Sequence, residues 1–146
     1  MNTNSENPKV GKEFQKRVLK IATDRFQQSF IEEKAVPIGK PAKDHKFDVV
    51  SVDGKRVIEC KYYSWTNGNN VPSAKMATLN EAVLYMRNLP EDTHKILVMK
   101  KDVRVSNGES LAQYYVRING HLLDDIEVWE VDADNRVNVV RAAAVI

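Results

Sequence analysis

The sequence predicts an α/β domain, a mixed central sheet flanked by helices, with an αββαβ core followed by a C-terminal helix and strands. Three observations predict it. Helical periodicities alternate with short apolar runs, a pattern that packs as helices on a sheet. The run KILVMK at residues 95–100 and the pair Val57 and Ile58 are apolar without alternation, as in strands buried on both faces. Asp53-Gly54 stands between two apolar runs, the strongest short signal for a hairpin turn.

The elements follow in order. Residues 1–8, MNTNSENP, are polar and read as a flexible N-terminus, leaving residues 9–146 as a single domain. Over residues 9–33, Phe14, Val18, Ala22, Phe26 and Phe30 recur every four positions, which predicts a helix. Residues 35–46, AVPIGKPAKDHK, contain two prolines and a glycine and read as an ordered basic loop. The hairpin occupies residues 47–63, and residues 64–72 form a turn-rich loop. Ser73 follows Pro72 as an N-cap, opening a helix to about Asn88 with Met76, Leu79, Val83, Leu84 and Met86 as its apolar positions. Residues 90–93 break that helix before the buried strand at 95–100. A turn at 106–108 precedes a helix over 109–123, in which Gly120 marks an early stop. Residues 126–131 and 137–141 read as two strands joined at Asp134-Asn135.

Size and composition bound the function. A chain of 146 residues, 42% hydrophobic and 29% charged, suits one soluble globular domain. A net charge of +2 neither demands nor excludes nucleic acid. The single cysteine, Cys60, excludes an internal disulfide and fits a reducing compartment. No apolar run reaches membrane-spanning length and residues 1–9 lack a signal-peptide core, so a cytoplasmic protein without a membrane partner is expected. His45 and His94 are isolated, and no His/Cys spacing suggests zinc. No glycine-rich phosphate loop follows a strand, and no Ser/His/Asp arrangement stands out.

The chemistry lies in FDVVSVDGKRVIECKYY. Counting outward from a two-residue Asp53-Gly54 loop, Val52 faces Lys55, Val50 faces Val57 and Asp48 faces Glu59. Two carboxylates then become direct cross-strand neighbours, which destabilises a sheet unless a cation lies between them. Lys61, two residues beyond Glu59, points to the same face. Asp48, Glu59 and the carbonyl of Cys60 offer hard oxygen ligands to Mg²⁺, and Lys61 can orient a water or stabilise phosphoryl oxygens. The letters alone say little: an acid followed by Glu-x-Lys occurs by chance in roughly one chain in two or three. The register carries the reading, and its competitor is a solvated strand face with cross-strand salt bridges.

Around this centre, Lys34, Lys40, Lys43, His45 and Lys46 form a basic stretch suited to a nucleic-acid backbone. Tyr62, Tyr63 and Trp65 suit base or sugar contacts. Ser73 and Lys75 place a helix N-terminus and an ammonium where a phosphate could be held. For each, the competing role is a solvated charge or a packing residue.

The segment resembles the PD-(D/E)xK nuclease superfamily, also called restriction-endonuclease-like. The matching residues are Asp48 on one strand and Glu59-x-Lys61 on the next, within the order helix, strand, strand, helix, strand over residues 9–100. Phe47 stands where the motif's proline would be. The family's first helix often carries Gly-x-x-Phe-Glu; here GKEFQ puts Gln15 at that place, on the sheet-facing side of the helix, with Glu13 on the far side. The resemblance implies a Mg²⁺-dependent endonuclease acting on DNA, with Mn²⁺ able to substitute. Gln15 would support the site by bonding a metal-bound water while bringing no charge. The superfamily also contains members that only bind, so a catalytically inactive nucleic-acid- or partner-binding module is the alternative. Small nucleases of this kind often dimerise to cut two strands, and residues 126–131 and 137–146 are where a homodimer interface is expected.

Overall fold

The computed structural model describes residues 8–143. Its elements are α1 (Pro8–Phe26), β1 (Phe30–Ile38), β2 (Lys43–Ser51), β3 (Arg56–Lys61), α2 (Ser73–Arg87), β4 (His94–Lys100), α3 (Leu111–Asn119), β5 (Glu127–Val131) and β6 (Val137–Arg141). The six strands form one open mixed sheet in chain order. β1, β2 and β3 are antiparallel, β4 runs parallel to β3 and β5 parallel to β4, and β6 returns antiparallel. The α/β class is therefore as the sequence predicts. The expected flexible tail lies outside the described residues except for Pro8, which begins α1.

Two cores form because β3 and β4 send alternate residues to opposite faces. Ile58, Ile96 and Val98 meet Phe14, Val18 and Ala22 of α1, together with Trp129. Val57, Leu97 and Met99 meet Leu79, Val83 and Met86 of α2 and Leu111 and Tyr115 of α3. Both faces of KILVMK are covered, which is why its apolar run shows no alternation.

The sequence misplaces one element. Residues 30–38 are strand β1, where the periodicity predicts the end of a helix and the start of a loop. Gln27 adopts a φ of 52°, stopping α1, and β1 then pairs with β2 from Phe30↔Ser51 to Ile38↔Lys43. Long-range pairing outweighs local helical propensity here. The basic loop is thus two strand arms and a tip, where Gly39 has φ 79°.

Turns and caps also depart in detail. The predicted hairpin register holds, with Val49↔Ile58 and Val50↔Val57 paired. The loop is wider than two residues: Val52 and Lys55 do not pair, because Asp53 Oδ1 accepts from Ser51 Oγ at 2.7 Å and from the Lys55 amide at 2.9 Å. Ser73 is the first residue of α2, Pro72 occupies the cap position, and no side-chain cap bond forms. Ser110, which the sequence reading passes over, caps α3 reciprocally with Gln113. α3 ends at Asn119 with Gly120 as its cap, the early stop expected of that glycine, and passes into a 3₁₀ turn over Gly120–Leu122.

Candidate active site

The site begins where the sheet turns over. Phe30 packs on the α1 face, yet Val36 and Ile38, of the same parity, pack on the α2 face. Val49 and Phe47 of β2 divide the same way. The reversal falls at Glu33, whose φ is 53°, and at Asp48, which lies between the pairs Glu32↔Val49 and Lys34↔Phe47.

Here β2 and β3 part, and side chains take over the ladder. The Asp48 amide donates to Glu59 Oε1 at 2.9 Å, and the Cys60 amide donates to Asp48 Oδ2 at 2.8 Å. Each carboxylate accepts an amide of the opposite strand. Glu59 is 7% exposed. Burial, then the Asp48 charge, pushes its carboxyl up to about 8, against the Asp48 amide and Lys61. Burial also raises Asp48, opposed by the Cys60 amide and by Lys61 and Lys12. The same burial and the two acids push the Cys60 thiol well up, so this cysteine behaves as a packed hydrophobe and not as a nucleophile.

Lys61 lies beside both acids, and its ammonium stands over the Tyr63 ring at 5.9 Å. Lys75 of α2 stands over the same ring at 5.2 Å. Asp48, Glu59 and Lys61 are thus brought together, and Tyr63 links Lys61 to Lys75. Gln15 is buried on α1 and donates to Glu32 Oε1 at 3.4 Å. Its partner is an acid of β1 that the sequence reading does not reach.

Two acids were hidden by the misplacement of β1. Glu32 binds Gln15 and Lys16, while Glu33 binds Lys12 and lies 3.8 Å from Lys46. The Lys12 hydrogen bond holds Glu33 below the usual carboxylate range. A strand signal was present in the inward positions Phe30, Glu32, Lys34, Val36 and Ile38, but the charged Glu-Glu-Lys centre masked it. Lys100 was also missed. It ends β4, bonds Ser64 Oγ and stands 4.1 Å from the centroid of Tyr62; burial lowers its pKa. A charged residue closing an apolar parallel strand marks the carboxyl edge of the sheet, where ligands bind in open α/β folds.

Other expected contacts are placed elsewhere. Trp65 is 3% exposed with the Arg104 guanidinium 4.5 Å from its ring centroid, which leaves no open ring face for a base, and its indole donates to the Asp102 carbonyl at 3.1 Å. Tyr62 packs at a tilt against Phe14, with Lys100 over its ring. His45 stacks on Tyr85 at 4.0 Å, bracing β2 against α2. Lys40 and Lys43 flank the β1–β2 tip, where the Gly39 amide bonds Asn88 just past the end of α2. Lys75 begins that 15-residue helix, so the tip lies about 20 Å along its axis from Lys75. Lys46 remains near the site through Glu33. Ser73 contributes no cap bond.

As a metal centre the arrangement is sparse. Among the described residues, no three His, Cys, Asp or Glu side chains form a metal-holding group. Asp48, Glu59 and the Cys60 carbonyl would leave the rest of a coordination sphere to water and phosphate, which suits Mg²⁺ better than ions that need a full protein cage. Among the described residues no helix is long and apolar enough to cross a membrane. The chain matches no protein-family model, no curated protein and no solved structure.

Proposed function

We propose that the chain is a divalent-metal-dependent endonuclease hydrolysing DNA phosphodiester bonds on a restriction-endonuclease-like fold. One observation carries the reading: the buried Glu59 and the partly buried Asp48 face each other where β2 and β3 part, and burial with the Asp48 charge lifts Glu59 to about 8. A pair of opposed acids of this kind is relieved by a cation, and such perturbed groups cluster at functional sites.

Asp48, Glu59 and the Cys60 carbonyl would hold Mg²⁺, or Mn²⁺ in its place. When bound, the ion supplies charge shielding for the phosphoryl group and a more acidic water. Lys61 orients the attacking water and stabilises charge on the phosphoryl oxygens. Lys75, which like Lys61 stands at the Tyr63 ring, holds a neighbouring phosphate. Gln15 steadies Glu32, so negative charge enters from β1 where the resembled family places an acid on the helix.

The test is a Mg²⁺-dependent cleavage panel over single-stranded, duplex, flapped and junction DNA, run beside Lys61→Ala. The expected result is cleavage of at least one form that EDTA and Lys61→Ala both abolish. The second reading is a nucleic-acid- or partner-binding module without catalysis. It is favoured by the lack of a third ligand side chain among the described residues and by the neutral Gln15. Salt-sensitive DNA binding with no cleavage of any form selects it and overturns the first.

A further inference from the structure

The basic stretch visible in the sequence and the basic groove of the structure are different places. The β1–β2 tip borders a concavity of about 960 Å³ in which Lys40 and Arg87 are answered by Glu91 and Asp92. Asp92 is further tied to Lys55 at 2.6 Å. A second concavity of about 680 Å³ lies between α1 and the β5–β6 turn, where Lys16, Arg17, Lys20 and Arg25 are answered by Asp24 alone.

The cations of this second groove are largely uncompensated. Arg17 donates to Asn135 Oδ1 at 2.8 Å and to the Asp132 carbonyl at 2.6 Å, both uncharged acceptors. The Arg25 guanidinium lies 4.9 Å from the Trp129 ring centroid. Lys20 has no ion-pair partner among the described residues. Lys16 lines the groove and also reaches Glu32 at 3.3 Å, joining it to the edge of the acidic site. Lys16 and Lys20 are one turn apart on one helix face.

We propose that this groove binds the phosphodiester backbone of a nucleic acid that continues past the acidic site. The inference deepens the nuclease reading and rests on it for the identity of the polymer. A concave surface of one sign focuses its field and gathers polyanions. Guanidinium groups held in place beforehand lose little freedom when they meet a phosphate. Ile21 and Val137 line the same groove, an apolar floor on which sugars can rest. Charge balance separates this groove from the tip concavity, whose lining holds two acids, Glu91 and Asp92, against two cations, Lys40 and Arg87.

The test measures binding in EDTA, so cleavage plays no part. Full-length protein is titrated into labelled single-stranded and duplex DNA across a salt series, with fluorescence anisotropy as readout. Replacing Arg17 and Lys20 together by Gln is expected to weaken binding about 10-fold and to reduce the slope of log K against log salt by about 2. A control double variant, Lys55→Gln with Arg117→Gln, removes the same charge from residues paired with Asp92 and Glu109 and is expected to change neither. If the Arg17 anchor proves necessary for folding, Lys20→Glu alone carries the test, since that side chain has no ion pair to lose. Equal weakening in both double variants, or unchanged binding in the groove variant, overturns the proposal. So does preference for anionic vesicles or an acidic peptide over DNA. Cleavage retained with groove binding unaltered sinks the groove and spares the nuclease. Groove-dependent binding without cleavage does the reverse.

Discussion

The two ends of the parallel strands hold ionic clusters of opposite character. At the amino end, Arg56 of β3 donates Nε–H to His94 Nδ1 at 3.1 Å, and His94 Nε2 meets Glu127 Oε1 at 3.0 Å. Glu127 also accepts from the Trp129 indole, and Arg56 also reaches Gln28. An Arg Nε–H can only donate, so Nδ1 accepts and the imidazole proton sits on Nε2, pointing at the carboxylate. At the carboxyl end, Asp48 and Glu59 oppose each other with Lys61 alongside, and both acids are raised. Glu127, by contrast, is lowered: burial raises it, but the bonds from His94 and Trp129 outweigh that. A closed network offsets the burial of its acid at one end; at the other, burial of the opposed acids is not offset.

The largest expected effect breaks the comparison at the carboxyl end. Lys61→Ala should reduce cleavage by about 10²- to 10³-fold, the usual loss for one group that stabilises transition-state charge, while leaving the melting temperature nearly unchanged. Glu127→Gln should leave cleavage intact. If Glu127→Gln instead impairs cleavage as much as Lys61→Ala does, the two ends are one functional unit and the contrast is wrong.

The next effect is on pH dependence. The Glu59 carboxyl titrates from a reference of 4.5 when unfolded and at about 8 when folded. The folded state therefore holds the proton more tightly. Its stabilising contribution is complete below about pH 4.5 and is lost as pH rises through about 8. Asp48, also raised, adds in the same direction. The metal-free melting temperature should fall across that window, and Glu59→Gln should flatten the fall. Millimolar Mg²⁺ should restore stability at the alkaline end and do little at the acid end, because it favours the ionised pair. A flat metal-free profile in the wild type, or the same slope in Glu59→Gln, would remove the basis for the metal site.

At the amino end the third effect is purely structural. Glu127→Ala leaves the His94 and Trp129 donors without their acceptor, and the expected cost is about 1–3 kcal/mol in urea unfolding. DNA binding and cleavage should be unaffected. A loss below about 0.5 kcal/mol would mean the network is replaced by water at no penalty.

What the sequence revealed and what it hid divide along the same lines. The hairpin register was legible because Asp53-Gly54 is a local signal, and it correctly brought Asp48 and Glu59 together. The buried strand β4 was legible because nothing but a two-sided core makes KILVMK apolar throughout. β1 was not legible. Its pairing with β2 is long-range, and Phe30 happened to continue the four-residue spacing of α1. With β1 went Glu32 and Glu33, and with them the knowledge that charge reaches Gln15 from the sheet. The amino-end network was equally hidden, since Arg56, His94 and Glu127 come from three strands with no motif joining them. His94 read as an isolated histidine because its partners are set by parallel pairing alone.

The smallest effect sharpens the amino end further. Arg56 does two jobs: its guanidinium lies 4.0 Å from the Phe26 ring centroid, tying α1 to the sheet, and its Nε fixes the His94 tautomer. Arg56→Lys keeps the charge but loses the planar fork, so one ammonium cannot serve ring, imidazole and Gln28 together. The expected loss is about 0.5–1 kcal/mol from the cation–π contact. Imidazole nitrogen NMR gives the independent readout. In the wild type His94 should show the Nε2–H form alone, while Arg56→Lys should admit the Nδ1–H form as well. A pure Nε2–H signal in the variant would mean that Glu127 alone fixes the ring, with Arg56 serving only to clamp α1 through Phe26.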